Sequence, residues 1–234
     1  MISAITFIPV LAALAILLLP GGGRLSKPIA LIGSLVSSLL AIFVIVGFNF
    51  NEGLQFVEKY AWIPSIGVDY YVGIDGLNAL LVLLVAILSP IIVLASWKVD
   101  EKTKTYFSLL LIQFTALYGA FTALNFFHWF IFWEAALVPA FFLIKLYGGT
   151  GRHKAAISFF IFTVLGSVAM LLGMLFLYLK TGSFDFIELR DLAAKGDVQS
   201  KLGDWYGWIF LAVMLGLWVK VPLFPLHSWQ APAY

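Results

Sequence analysis

Apolar residues fill this chain in blocks of about twenty, separated by short polar stretches. Blocks of this length match the ~20 residues a helix needs to cross a bilayer. Seven spans are predicted: Ile2–Pro20, Ile29–Phe50, Leu77–Trp97, Tyr106–Phe126, Phe127–Tyr147, Ala155–Leu179 and Trp208–Leu226. The fourth and fifth are joined by almost nothing around Asn125–His128, which predicts a tight antiparallel pair. The pattern divides the chain into residues 1–105, with three helices and an outer hairpin loop at 51–76, and residues 106–234, with three helices and a proline-broken helix at 208–226.

The polar gaps carry their own signals. Tyr60–Gly76 mixes aromatic and β-branched residues with Gly and Pro, which predicts a short β-hairpin. Asp75 is placed to cap the third helix. Asp185 with Glu188 fits a capping box, flanked by Phe184 and Leu189 as a staple. Phe186, Leu189, Leu192 and Ala193 then form one apolar face before Gly196, predicting a short helix lying on the membrane interface.

Composition agrees with residence in lipid. The 234 residues are 62% hydrophobic and 11% charged, against about 25% charged in soluble domains. Such a chain cannot cover its surface with polar groups in water. Basic residues form no long runs or basic–aromatic stripes of the kind that track nucleic acid. Cysteine is absent, which excludes disulfides, iron–sulfur ligation and thiolate metal sites within these residues. Ile2–Pro20 has no basic flank before it and no evident cleavage site after it, so it reads as a retained helix rather than a signal peptide.

Short-loop charges set the expected orientation. Arg24 and Lys27, then Lys98, Lys102 and Lys104, then Arg152 and Lys154 occupy alternate loops. The intervening loops are nearly free of base, which places the N-terminus outside. The loop Lys180–Gly207 departs from this pattern with Lys180, Arg190, Lys195 and Lys201, but it is long and also carries five acids.

Two ionisable residues fall inside apolar runs. Glu134 stands in Trp129–Leu146 and Lys220 in Trp208–Leu226. A charge at the bilayer centre costs ~2.5–3.5 kcal/mol on insertion scales, so such residues usually mark ion or proton pathways. Glu134 reads either as a neutral acid hydrogen-bonded to a neighbouring helix or, preferred here, as the partner of a buried base. Pro139 removes the helical bond to the Ala135 carbonyl, loosening the backbone just past the acid. Lys220 lies twelve residues from Trp208, roughly 18 Å along a helix, too deep for easy snorkelling. Pro222 and Pro225 deprive the Trp218 and Val221 carbonyls of their helical partners. Free carbonyls at that depth predict a wet cavity near Lys220.

Other candidates weigh less. His227 suits a proton relay near neutral pH or, equally, a capped interfacial position. Lys145, one turn from its helix end, reads as a snorkelling base. His128 and His153 read as solvated or structural. The three histidines have no metal or haem spacing. Trp97, Tyr147 and Trp208 read as the aromatic belt.

The magnitudes favour a working pair. At an effective dielectric of 20, unit charges attract by roughly 4 kcal/mol at ~4 Å and roughly 2 kcal/mol at ~8 Å. Moving one charge across 100 mV costs about 2.3 kcal/mol. Opening and closing an acid–base pair is thus enough to load and release a proton against a membrane potential. The expected depths of Glu134 and Lys220 differ by roughly 8 Å, a gap for tilt, long side chains or a bridging water to close.

The strings Trp133-Glu134-Ala135 with Pro139, Val72-Gly-Ile-Asp75-Gly76-Leu77-Asn78, and Lys220-Val-Pro222-Leu-Phe-Pro225-Leu-His227-Ser-Trp229 resemble the antiporter-like subunits of respiratory complex I, the subunit M / subunit 4 family of NADH:quinone oxidoreductase. The resemblance spans about Trp62 to Trp229. It implies that Glu134 and Lys220 form a proton-translocating pair. It also implies an all-α polytopic fold of fourteen helices built from two inverted five-helix repeats, with residues 106–234 an incomplete first repeat. Gln230-Ala231-Pro232-Ala233-Tyr234 departs from the family's usual Leu-Pro-Asp-Ala-His. The sequence stops about halfway along the family's length, the pattern of a fragment or a split subunit.

The expected function is therefore proton translocation by Glu134, Lys220 and His227 within an oxidoreductase that passes electrons from NADH or a related donor to quinone. This chain would hold no redox centre. Flavin, iron–sulfur clusters and quinone would sit in other subunits. Partners would be neighbouring antiporter-like and other membrane subunits, with lipids around them. The expected location is a bacterial inner membrane, with an organellar one as the other option. The alternatives are a subunit of a multisubunit cation/proton antiporter or membrane-bound hydrogenase, a structural scaffold with a static Glu134–Lys220 ion pair, and, least favoured, a quinone-binding subunit.

Overall fold

The computed structural model describes residues 1–19 and 22–233. Pro20, the predicted end of the first helix, and Tyr234 lie outside the described residues. The chain is an all-α polytopic membrane protein with one small hairpin. Its helices are α1 (Ile2–Leu18), α2 (Gly22–Val46), α3 (Asn78–Ala95), α4 (Thr103–Thr122), α5 (Phe126–Ala135), α6 (Leu137–Tyr147), α7 (Arg152–Thr181), α8 (Phe186–Ala194), α9 (Asp197–Leu202), α10 (Tyr206–Lys220) and α11 (Gln230–Ala233). The strands β1 (Gln55–Ile63) and β2 (Val68–Ile74) pair as a two-stranded sheet.

Six helical stretches of the described residues are long and apolar enough to cross a membrane. Counted as one of these, α5 and α6 make a 22-residue span, Phe126–Tyr147. The predicted first span is the exception: α1 has 17 residues, at the short end of the ~17–25 that suffice. The predicted span Trp208–Leu226 is shorter as a helix, since α10 stops at Lys220.

The chain forms two compact units. One comprises Met1–Tyr60, Tyr70–Ala123 and Ile131–Pro139; the other comprises Ala61–Asp69, Leu124–Phe130 and Ala140–Tyr234. In the first unit, α1 packs on α2 and α4, and α2 on α3. Ile2, Ile5, Ala41, Val44, Val82 and Ala86 lie in its core. Close approach comes from small residues, the usual currency of helix packing in lipid. A Cβ at Gly33 would lie 2.5 Å from the Ala12 Cβ.

Pro9 within α1 leaves the Ile5 carbonyl without its helical donor. The Ser37 hydroxyl of α2 donates to that carbonyl at 2.6 Å. The entry to α3 follows the sequence: the Asp75 carboxylate accepts from the Leu77 and Asn78 backbone N–H groups at 3.0 and 2.8 Å. Asn78 reciprocates, its Oδ1 accepting from the Asp75 N–H at 2.8 Å.

The second unit is organised by α7 and α10, which pack along their lengths. A Cβ at Gly216 of α10 would lie 2.6 Å from the Met170 Cβ and 2.9 Å from the Gly166 carbonyl oxygen of α7. The short helix α8 forms as expected. Asp185 accepts from the Ile187 and Glu188 N–H groups at 2.8 and 3.2 Å. The predicted box closes differently, however. Glu188 accepts from the Ser183 hydroxyl, and Ser183 in turn accepts from the Asp185 N–H at 3.0 Å. A serine two residues ahead relays what the sequence assigned to Glu188 directly.

Candidate functional site

The Asn125 side chain starts α5 by accepting from the Phe127 and His128 N–H groups at 3.1 and 3.3 Å. The helix then carries the string Phe-Phe-His-Trp-Phe-Ile-Phe-Trp-Glu-Ala and ends at Ala135. The interruption falls at Ala136, and Pro139 sits in the first turn of α6, where no N–H is required. Glu134 is thus the penultimate residue of its helical segment. It is half-buried. Its Oε1 is fully buried and meets no hydrogen-bond partner among the described residues.

The rotation of this segment is fixed by Phe132. The Phe132 ring lies where a Cβ on Gly119 of α4 would stand, 2.2 Å from its Cδ1. Phe7 of α1 packs against the same ring with centroids 6.1 Å apart.

Lys220 is the last residue of α10 and is half-buried. Two contacts anchor Val219, its neighbour. A Cβ on Gly166 would come within 2.8 Å of the Val219 Cβ, so α10 rests directly on the α7 backbone there. The buried Trp229 indole donates to the Val219 carbonyl at 3.0 Å and packs tilted against Phe159, centroids 5.2 Å apart.

These contacts correct one expectation. The Trp218 carbonyl, freed by Pro222, is not left open: the Leu223 N–H reaches it at 3.0 Å. The turn after α10 thus closes one of the two carbonyls expected to open a wet cavity, the other being that of Val221. A cavity beside α10, about 210 Å³, is lined by apolar and aromatic side chains, including Trp129, Met170, Met174, Val213 and Leu217.

The histidines fall in unlike places. His227 is exposed, its ring 5.6 Å from that of Phe224. His153 is exposed in the first turn of α7. His128 is 2% exposed, with Trp62 edge-on at 6.5 Å, so of its two expected settings the solvated one is ruled out. Lys145 lies in the last turn of α6 over the Phe141 ring at 5.3 Å, where its charge also favours the helix C-terminus. No group of three His, Asp or Glu side chains able to hold a metal occurs among the described residues.

The sequence pointed to Trp229 only as part of a resemblance, with no structural role, and gave no role to the glycines Gly119, Gly166 and Gly216. Their signal was weak: a tryptophan after a proline-rich turn, and glycines inside apolar helices where propensity alone disfavours them.

Comparison with known proteins places these features in context. Residues 123–234 match the family model described as NADH:quinone oxidoreductase/Mrp antiporter, TM. The chain is 34% identical to NADH-quinone oxidoreductase subunit M of Rhodobacter capsulatus, with 100% of this chain and 48% of that protein covered. It is 38% identical to F(420)H(2) dehydrogenase subunit M of Methanosarcina mazei, with 90% of this chain and 43% of that protein covered. A chain of respiratory complex I from Thermus thermophilus superposes with a TM-score of 0.83 and 29% identity, covering 100% of this chain and 46% of that one. The chain spans about half the length of the curated relatives it matches.

Proposed function

This chain belongs to the antiporter-like membrane subunits of the NADH:quinone oxidoreductase and Mrp antiporter family, and we propose that it moves protons across the membrane, with Glu134 and Lys220 as the exchanging groups. The observation that supports this reading is the placement of both residues at helix interruptions within apolar segments. Glu134 stands two residues before the break at Ala136, with one carboxylate oxygen buried and without a hydrogen-bond partner among the described residues. Lys220 terminates α10 at a turn built from its own prolines. An ionisable group at a helix break in lipid has the local freedom to change partners, whereas one inside a continuous helix does not.

In this reading the chain acts as a non-redox subunit. Electron transfer, with its flavin, iron–sulfur and quinone chemistry, belongs to partner subunits. His227, exposed past the break, is the candidate relay group. The location is a bacterial inner membrane with the N-terminus outside. A second reading, cation/proton antiport without electron transfer, is favoured by the family description, which covers Mrp antiporters as well. The donor also stays open to NADH or a related carrier, since one relative is named for F(420)H(2).

The test is Glu134→Gln and Lys220→Met, each alone, in the assembled complex, with proton pumping and quinone reduction both measured. Pumping should fall in both variants while assembly persists. Unchanged pumping in both would leave a static scaffold. Intact sodium- or potassium-coupled antiport without quinone reduction in the wild type would select the second reading.

A further inference from the structure

The first unit holds a polar layer that the Glu134 and Lys220 chemistry does not use. Hydroxyls from four helices are buried there: Thr6 of α1, Ser37 and Ser38 of α2, Ser89 of α3, and Thr115 and Tyr118 of α4. Ser37 is committed to the Ile5 carbonyl at 2.6 Å, and Ser38 and Ser89 share a hydrogen bond at 3.2 Å. The Tyr118 hydroxyl faces Ser37, Ser38 and Ser89. It nonetheless makes no hydrogen bond of normal geometry among the described residues, although Tyr118 is 0% exposed. The Thr115 and Thr6 hydroxyls are likewise buried without a partner among the described residues.

Buried hydroxyls without partners are rare in folded proteins, and in a bilayer no bulk water relieves them. The usual resolution is an ordered internal water, which needs two to four polar neighbours and enough room. The polar neighbours are the Ser38 and Ser89 hydroxyls beside Tyr118. Ser89 also borders a cavity of about 220 Å³ on the α3–α4 side, whose walls are otherwise apolar side chains such as Val85, Phe114 and Leu117. Among the described residues no carboxylate belongs to the layer, so they offer no charge for a cation.

We propose that this hydroxyl layer is a binding site for ordered water, centred on the Tyr118 hydroxyl and bridging it to Ser38 and Ser89. The water accepts from Tyr118, donates to the serine oxygens, and gives the apolar helices of this unit a hydrated polar centre. The layer is independent of the proton pair and stands whether or not that pair pumps.

Radiolytic hydroxyl-radical labelling of the intact wild-type complex tests it, because radicals formed from a bound water mark the side chain beside it even when bulk solvent cannot reach. Phe107 is also 0% exposed and serves as the dry reference within the same unit. Tyr118 should be labelled at least severalfold faster than Phe107, correcting for their intrinsic reactivities. Labelling of Tyr118 at the Phe107 rate overturns the proposal without recourse to any variant. Ser38→Ala with Ser89→Ala should then reduce Tyr118 labelling severalfold, and an unchanged rate in an assembled double variant would also overturn it.

Discussion

Asn125 and Asp185 face each other across an antiparallel bridge, and each caps its own helix. The Phe126 N–H donates to the Phe184 carbonyl at 2.7 Å, and the Phe186 N–H donates to the Leu124 carbonyl at 2.9 Å. Phe184 then stacks on Tyr178 with centroids 4.1 Å apart. The start of α5, which leads to Glu134, is therefore tied to the loop after α7. Asp185→Ala removes the acceptor for two backbone donors and should cost about 1 kcal/mol. The thermal midpoint of the purified complex should fall, and Asp185→Asn should restore most of it.

The α7–α10 contact has no spare volume at Gly216. Gly216→Ala puts a methyl group 2.6 Å from the Met170 Cβ and 2.9 Å from the Gly166 carbonyl oxygen. The helices must part, at roughly 1–3 kcal/mol. Gly207→Ala is the control, because a Cβ there meets nothing within 4 Å. Thermal unfolding should separate the two variants, and only Gly216→Ala should also depress pumping, since Val219 and Lys220 ride on the same face.

Trp229→Phe keeps a ring against Phe159 but loses the donor to the Val219 carbonyl. That carbonyl lies at the end of α10 beside Lys220, so the loss should cost about 1 kcal/mol and loosen the turn. Pumping should decline more than quinone reduction does. Equal decline in both would point to general unfolding instead.

Glu58 ties β1 to the start of α1. Its carboxylate accepts from the Met1 ammonium and the Ser3 hydroxyl, and the Ser3 hydroxyl also meets the Tyr70 hydroxyl at 2.7 Å. Burial alone would raise the Glu58 carboxyl, but the Met1 ammonium and Ser3 outweigh it and hold it below its ordinary value. A depressed carboxyl contributes stability that is fully present above its unfolded pKa and lost as pH falls through the folded one. Glu58→Gln should therefore lower the melting temperature slightly at neutral pH. The difference from wild type should vanish as the pH drops below the ordinary carboxylate range. A gap that persists there would show that packing, not charge, is responsible.

Much of this molecule was determined locally. Spans follow from runs of apolar residues, since a helix is the element that satisfies its own backbone in lipid. The hairpin, the Asp75 and Asp185 caps and the break after Glu134 follow from side chains acting within a few residues of themselves. What the sequence left open depends on partners distant along the chain. The Ser37 repair of the Pro9 defect, the Trp229 hold on Val219, the Phe132 ring over Gly119 and the meeting of Ser38, Ser89 and Tyr118 all join different helices. Hydropathy fixes which segments enter the membrane but is blind to which faces meet there. In lipid that choice rests on close packing and hydrogen bonding, and only the tertiary structure decides it.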